Sequence, residues 1–439
     1  MKVAFHTLGC KVNQYETEAM AKRYRQQGYE VVGERDFADV YVINTCTVTA
    51  VADKKSRQYI RRMKKVNPDA RVIVTGCYAE ISPEEVSKIQ GIDEIMTMEQ
   101  KRNFVSGASP VASTENRTRA YIKVQEGCNR FCSYCVIPYA RGSIRSRDLD
   151  DIVNEAKALL DAGYKELVLT GINTAQYGME NINLYDGSEI REEIFGIEKV
   201  ISAINDLEGD FRIRLSSLEP AVVNSEYVKR LFKYDKLCHH LHMSAQSGSD
   251  EILKAMNRPY DEQGYYDLVN TLFDFDSCYG ISTDIIVGFP GEKEKNFEDS
   301  MELVKDCCFC KTHIFKYSRR PMTKAAEMKN QVSPQVKNDR AARLEEAAAK
   351  AAEGFFEVNL AAAAEGRTET VLLEEIVTKK QDGIERGFFV GYTGNYIRTY
   401  IPCDEGCGKA RGVELKANTF VKVKLTGLLA DGMTGEIVV

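Results

Sequence analysis

The stretch Cys128-Asn129-Arg130-Phe131-Cys132-Ser133-Tyr134-Cys135 constrains this chain more than any other, with three cysteines at C-x3-C-x2-C spacing just past a predicted strand (Ala120 to Val124). Structural zinc sites and ordinary four-iron clusters take four protein ligands, and here the fourth is missing. The next cysteine is Cys238. Three thiolates on a cubane cluster leave one iron open to a small molecule bearing a carboxylate and an amine. The alternative at this point is a zinc knuckle whose fourth ligand lies far away in sequence.

At 439 residues the chain is too long for one ordinary core, and two or three domains are expected. Apolar content of 44% and charged content of 28% describe a soluble globular protein. No apolar run reaches the roughly 18 residues of a membrane span, and the N-terminus lacks the layout of a signal peptide, so no membrane association is expected. Thirteen cysteines without an export signal argue for reduced thiols in the cytoplasm, used as metal ligands or core fillers. A net charge of −6 does not by itself mark a nucleic-acid binder, so the distribution of charge decides.

The first segment alternates strands and helices: strands at Val3 to Leu8, Val40 to Asn44, Arg71 to Thr75 and Glu94 to Met98, helices at Tyr15 to Gln27 and Val51 to Val66. That spacing predicts a doubly wound parallel sheet over residues 1–112. Cys10, Cys46 and Cys77 each follow one of these strands. Parallel strands share one carboxyl edge, where ligands bind, so the topology gathers three distant cysteines on one rim as a second cluster site. Residues 107–118 have the composition of a linker.

From Ala120 the alternation restarts with a longer period. Strands are expected near 121–124, 166–170, 211–215, 239–243, 282–287 and 311–317, with helices between, such as Asp151 to Ala162 and Glu192 to Asn205. Six βα units fall short of the eight of a closed barrel, which predicts an open partial TIM barrel over residues 114–345. Polar, Gly-rich strings after successive strands (Gly171-Ile172-Asn173, Ser216-Ser217-Leu218-Glu219, Ser244-Ala245-Gln246, Gly288-Phe289-Pro290-Gly291) would then face the Cys128 loop as one pocket. Residues 346–365, within an Ala- and Glu-rich run from Lys337, read as a connecting helix, and residues 366–439 as a small all-β barrel of short alternating strands.

Taken together, the two cysteine triads and three layers resemble the radical S-adenosylmethionine (SAM) methylthiotransferases over essentially the whole chain. The resemblance implies two [4Fe-4S] clusters, an auxiliary one on Cys10, Cys46 and Cys77 and a SAM-binding one on Cys128, Cys132 and Cys135, with a C-terminal TRAM-like barrel. It also implies reductive cleavage of SAM to a 5′-deoxyadenosyl radical and sulfur insertion at carbon 2 of an adenine. The opening Leu8-Gly9-Cys10-Lys11-Val12-Asn13-Gln14-Tyr15-Glu16-Thr17 is similar to the branch modifying N6-threonylcarbamoyladenosine at tRNA position 37. Sister branches acting on isopentenyladenosine in tRNA or on a ribosomal-protein aspartate, and a non-catalytic iron–sulfur RNA sensor, are the competing readings. A tRNA substrate, a flavodoxin- or ferredoxin-like electron donor and a monomeric enzyme are expected; the sulfur donor is left open.

Within this resemblance Asn173, Ser216, Glu219 and Gln246 are candidate SAM contacts, with Gly171 and Gly288 allowing close backbone approach. Tyr134 and Phe131 are placed either on the adenine of SAM or in the core. For RNA, Lys54, Lys55, Arg57, Arg61 and Arg62 form a basic helix, and Arg117, Arg119, Lys123, Arg130, Arg141, Arg145 and Arg147 surround the cluster loop against one nearby acid, Glu126. In the C-terminal barrel Phe388, Phe389, Tyr392, Tyr396 and Tyr400 are candidates for base stacking or core. Cys238, Cys278, Cys307, Cys308 and Cys310 read as core, and Cys403 with Cys407 as an incomplete metal site. The family often carries a proline near Ser244-Ala245 that is absent here, leaving the local backbone open.

Overall fold

Burial on both faces of the first strands organises the N-terminal segment. The computed structural model describes residues 1–106, 118–180, 196–381, 384–404, 408–429 and 431–438. Strands β1 (Lys2–Thr7), β2 (Glu30–Val32), β3 (Val40–Thr45), β4 (Arg71–Gly76) and β5 (Glu94–Ile95) form a parallel sheet in the order β2-β1-β3-β4-β5. Tyr41 and Ile43 of β3 pack with Ile60 and Met63 of helix α2 (Ala50–Val66), whereas Val40 and Val42 pack with Met20 and Tyr24 of helix α1 (Lys11–Gln26). The period of two in β3 thereby places α1 and α2 on opposite faces, as expected for double winding. The short edge strand β2 was not expected, and β5 stops at Ile95 rather than Met98.

Six parallel strands build the centre: β6 (Arg119–Lys123), β7 (Glu166–Thr170), β8 (Arg212–Leu215), β9 (His240–Met243), β10 (Gly280–Val287) and β11 (Lys311–Lys316). β8 pairs with β7 up to Leu215, and Ser217–Leu218 then pairs with β9, so the chain changes partner at Ser216. A bridge between Ile213 and Leu237 continues the curve. The result is the open partial barrel, with β6 and β11 at its two edges. The 107–117 part of the linker, with Arg117, and the 192–195 part of the predicted helix lie outside the described residues.

The long helix Pro334–Ala364 starts with Ser333 as N-cap, its hydroxyl accepting from the Val336 amide, and Pro334 at the first helical position. Leu344 and Ala351 pack in the central core, and Phe355 and Ala363 in the C-terminal one, which couples the two. Strands β12 (Glu369–Gln381), β13 (Ile384–Tyr392), β14 (Arg398–Pro402), β15 (Phe420–Leu429) and β16 (Gly432–Ile437) close into a barrel, order β12-β13-β14-β16-β15. Its loop after Tyr392 plugs the amino end of the central barrel. Arg212 donates to the Tyr392 carbonyl (2.9 Å), and Arg214 to those of Thr393 (3.1 Å) and Gly394 (3.0 Å). Tyr396 stacks on His240, and Tyr392 lies against the Arg119 guanidinium, 4.4 Å from ring centroid to charge. Phe388, Phe389 and Tyr400 are buried. Phe388, Phe389 and Tyr400 thus belong to the core, while the half-buried Tyr392 and Tyr396 pack between the domains.

Candidate functional site: two cysteine triads on one rim

Cys10 caps the start of α1, Cys46 follows β3, and Cys77 opens the short helix α3 (Cys77–Ile81) after β4. Two glycines make the approach possible. Gly9 has φ +99°, and a Cβ there would sit 2.7 Å from the Cys46 sulfur. Gly76 has φ +95°, and a Cβ there would collide with the Thr45 backbone beside Cys46. Left-handed backbone and the missing side chain are both required. Asn13 fastens the loops, its amide donating to the carbonyls of Leu8 (2.7 Å) and Thr45 (3.0 Å). Cys46 and Cys77 are buried and Cys10 is exposed. Burial pushes the Cys46 thiol up to about 12 and raises Cys77, where the Arg141 charge works in the opposite sense.

The loop Cys128 to Cys135 is held from several sides. Ser133 donates through its hydroxyl to the Ala255 carbonyl (2.8 Å) and through its amide to that of Met256 (3.0 Å); its own carbonyl accepts from Ala325 (2.7 Å). Phe131 takes a positive φ of 50°, uncommon for a bulky residue, and this turn brings the cysteines together. Arg258 donates to the Cys132 sulfur at 3.2 Å. Burial pushes the Cys128 thiol up to about 12 and Cys135 higher still. Thiols so buried become thiolates only against a cation, which is what the irons of a cluster supply when bound.

Beside this loop Glu219 is the hub of a buried polar network. It pairs with Arg130 (2.5 Å) and Arg258 (3.2 Å) and accepts from the Asn173 amide (2.6 Å). The Asn173 Oδ1 and Ser216 Oγ atoms are buried without a hydrogen-bond partner among the described residues. Unsatisfied buried acceptors next to two guanidinium groups suit a ligand with one ammonium and one carboxylate, as SAM has. Gln246, at φ +68°, lines a 190 Å3 cavity with Tyr134, Cys135, Asp284, Phe315 and Ser318. The Ser244 and Ala245 carbonyls accept from the Tyr260 hydroxyl (3.0 and 2.9 Å), which settles the backbone where the proline is absent.

Several candidates stand elsewhere. A Cβ on Gly171 would come 3.0 Å from Gln125 Oε1, and one on Gly288 would strike the Lys337 side chain. At both glycines the space a side chain would take is filled by protein. Phe131 is exposed and packs edge-on with Tyr139, so it is neither core nor a wall of the cavity. Arg141 is fully buried in ion pairs with Glu16 (2.8 Å) and Glu126 (3.5 Å) and cannot reach a phosphate. Arg147 is tied to Glu155 (2.5 Å), and Arg57 to Glu85 (2.9 Å) and Tyr78. Arg119, Lys123 and Arg130 likewise pair with buried Glu166, Glu16 and Glu219. Lys54, Lys55, Arg61, Arg62 and Arg145 are exposed, and none of them forms an ion pair among the described residues. Cys238, Cys278, Cys307 and Cys310 are buried; Cys308 and Cys403 are half-buried, and Cys407 lies outside the described residues. Arg258 and Tyr260 had no local signal in the sequence.

The segments that carry the two triads are neighbours in the fold. Helix α3, which begins at Cys77, packs on helix α4 (Ile137–Arg141), which follows Cys135. Residues 2–97 match the uncharacterized protein family UPF0004, and residues 122–304 match the radical SAM superfamily. A solved radical S-adenosylmethionine methyltransferase, TsrM from Kitasatospora setae, shares the fold at TM-score 0.54 and 15% identity, covering 74% of this chain and 77% of that one. Fold and site thus define a radical SAM iron–sulfur enzyme. The threonylcarbamoyladenosine tRNA methylthiotransferase MtaB of Bacillus subtilis is 39% identical over 96% of this chain and 93% of its own length. A tRNA-2-methylthio-N(6)-dimethylallyladenosine synthase of Clostridium botulinum is 33% identical over 98% and 94%. The chain belongs to the radical SAM methylthiotransferase family.

Proposed function

We propose that this protein converts N6-threonylcarbamoyladenosine at tRNA position 37 to its 2-methylthio derivative. The observation that carries the reading is the packing of α3 on α4, which sets the Cys10/Cys46/Cys77 rim against the Cys128/Cys132/Cys135 loop. Higher identity to the MtaB protein than to the dimethylallyladenosine synthase favours the threonylcarbamoyl base over isopentenyladenosine. When bound, the two clusters and SAM supply the radical and sulfur chemistry. The chain's own residues hold, orient and enclose. Arg130 and Arg258 offer cations to the SAM carboxylate, Asn173 Oδ1 and Ser216 Oγ offer acceptors to its ammonium, and Tyr134 and Gln246 wall the cavity.

Residues 1–112 act as the auxiliary-cluster unit, 114–345 as the radical SAM core, 346–365 as the connector and 366–439 as the TRAM-like barrel. The exposed cations Lys54, Lys55, Arg61, Arg62 and Arg145 meet tRNA phosphates. No helix among the described residues is long and apolar enough to cross a membrane. The enzyme works as a cytoplasmic monomer with a flavodoxin- or ferredoxin-like donor. Incubating reconstituted protein with SAM, reductant, sulfide and a threonylcarbamoyladenosine-bearing stem-loop tests this; formation of 5′-deoxyadenosine without a methylthio product refutes it.

A further inference from the structure

Three neighbouring strands of the open barrel bring a further set of metal-ligating side chains to its inner face. β9, β10 and β11 run parallel, with His242 opposite Ser282 and Asp284 opposite His313. Residues two apart on a strand share a face, so His242, Asp284 and His313 point the same way from adjacent strands. That face is the inner one, because Asp284, Ile286 and Phe315 line the cavity at the cluster loop. The ligand atoms of the three side chains lie within 4.8 Å of one another. His242 Nε2 and Asp284 Oδ2 are 3.1 Å apart, and the His242 and His313 ring centroids 5.8 Å. Nitrogen and oxygen ligands of one zinc-like ion, each about 2.0–2.2 Å from it, stand roughly 3–4.2 Å from one another. His242 and Asp284 meet that spacing already. His313 is the most exposed of the three, and a side-chain rotation brings it within reach.

The surroundings suit coordination. Ser282 Oγ stands 3.0 Å from both His242 Nδ1 and His240 Nε2. A hydroxyl has one proton, so it donates to one ring and accepts from the other. With Ser282 donating to His240, His242 carries its proton on Nδ1 and turns the Nε2 lone pair to the Asp284 carboxylate. A cation reconciles those two acceptors, and an outer-shell partner of this kind fixes the tautomer of a metal-bound histidine. Ser244 Oγ holds the same carboxylate oxygen at 2.8 Å. The His313 ring nitrogens have no hydrogen-bond partner among the described residues. None of the three residues is close in sequence to a cysteine of either triad.

We propose that His242, Asp284 and His313 form a mononuclear site for a divalent transition-metal ion, on the barrel wall beside the cavity and separate from both cysteine triads. Two imidazoles and one carboxylate suit Zn2+, Fe2+ or Mn2+ rather than Mg2+ or Ca2+, which take mostly oxygen ligands. Three protein ligands leave further positions to water or to an oxygen of the substrate. The site is independent of which tRNA base the enzyme modifies.

Equilibrium dialysis against micromolar Zn2+, followed by metal analysis, tests this on full-length protein with both clusters reconstituted, so that the cluster cysteines are occupied. Wild type should take up one zinc per chain without loss of iron, and its zinc X-ray absorption should show nitrogen and oxygen neighbours without sulfur. His313→Ala and Asp284→Asn should each weaken binding by at least the roughly 10- to 100-fold typical of outer-shell changes, and Ser282→Ala by about ten-fold, with iron content unchanged. His313 is exposed and lies on an edge strand, so His313→Ala carries the test even if Asp284→Asn does not fold. No zinc taken up by wild type overturns the proposal. So does sulfur in the zinc shell, or equal binding by wild type and His313→Ala, either of which assigns the zinc to adventitious thiols or other surface groups.

Discussion

Arg141 and Glu16 meet at 2.8 Å with both side chains buried, joining the helix that follows Cys135 to the helix that follows Cys10. Glu16 also receives Lys101 (2.6 Å) and Lys123 (3.3 Å), and Arg141 donates to Asn13 Oδ1 at 2.5 Å. Burial alone would raise the Glu16 carboxyl; the charges of Arg141, Lys101 and Lys123 outweigh it and hold the group well below the usual carboxylate range. Asn13 in turn donates to the carbonyls of Leu8 and Thr45, in the loops that carry Cys10 and Cys46. One buried charge network thus fixes the two cysteine triads against each other.

Replacing Arg141 by Met should therefore act on stability before anything else. Glu16 keeps two lysines, so the cost lies near the lower end of the roughly 3–5 kcal/mol for breaking a buried pair. Arg141→Lys should recover part of it, lacking the planar fork. Urea unfolding of the cluster-free protein measures both, and a cost under about 0.5 kcal/mol for Arg141→Met contradicts the network's role.

The exposed face of α2 carries the electrostatic prediction. Substituting Lys54, Lys55, Arg61 and Arg62 by Ala should weaken tRNA binding and reduce the slope of log affinity against log salt by about one for each phosphate no longer neutralised. Arg57→Ala should change the slope little, because Arg57 is engaged by Glu85 and Tyr78. Affinity measured from low to moderate salt decides; an unchanged slope in the quadruple variant removes α2 from the RNA interface.

Asn173 offers a sharper probe of cofactor binding than its neighbours, since its Oδ1 is buried and unpaired while its amide holds Glu219. Asn173→Ala should raise KM for SAM by about ten-fold or more, in keeping with one hydrogen bond to a charged group, and leave tRNA affinity unchanged. An unaltered KM for SAM would place the ammonium elsewhere.

Acid stability should depend on Asp276, which pairs with Arg367 (2.7 and 3.0 Å) and with His239 (2.7 Å) at the junction of centre and C-terminal barrel. Burial would raise its carboxyl, but the hydrogen bonds from His239 and Arg367 prevail and hold it below its ordinary value. A carboxyl lowered on folding contributes stability that is complete above its unfolded pKa and drains away as pH falls through the folded one. Asp276→Asn should cost about 1.5–3 kcal/mol near neutrality and flatten the acid limb below about pH 4. An acid limb as steep as that of wild type contradicts the assignment.

The layers and the cysteine triads were legible in the sequence because their signals are local. Apolar strands recur at regular spacing, and each of Cys10, Cys46 and Cys77 comes shortly after one. The charges were not legible. Arg130, Arg141 and Arg147 read as a basic patch because Glu16, Glu155 and Glu219, the acids that neutralise them, come from other parts of the fold. Only folding brings Glu16 to Arg141, 125 residues away. Arg258 escaped for the same reason, reaching Cys132 across 126 residues. Edge strand β2, three residues long, is too short to show an alternation.

The central claim is that two triads serve one sulfur insertion, and mass spectrometry of tRNA nucleosides tests it most directly. A strain lacking the protein should lose 2-methylthio-threonylcarbamoyladenosine and regain it with wild type, but not with Cys10, Cys46 and Cys77 replaced by Ala. That triple variant, purified and reconstituted, should hold about four of the eight irons expected for two four-iron clusters and still cleave SAM under reduction. Methylthiolated nucleoside at wild-type level in the triple variant, or in the strain without the protein, would contradict the claim.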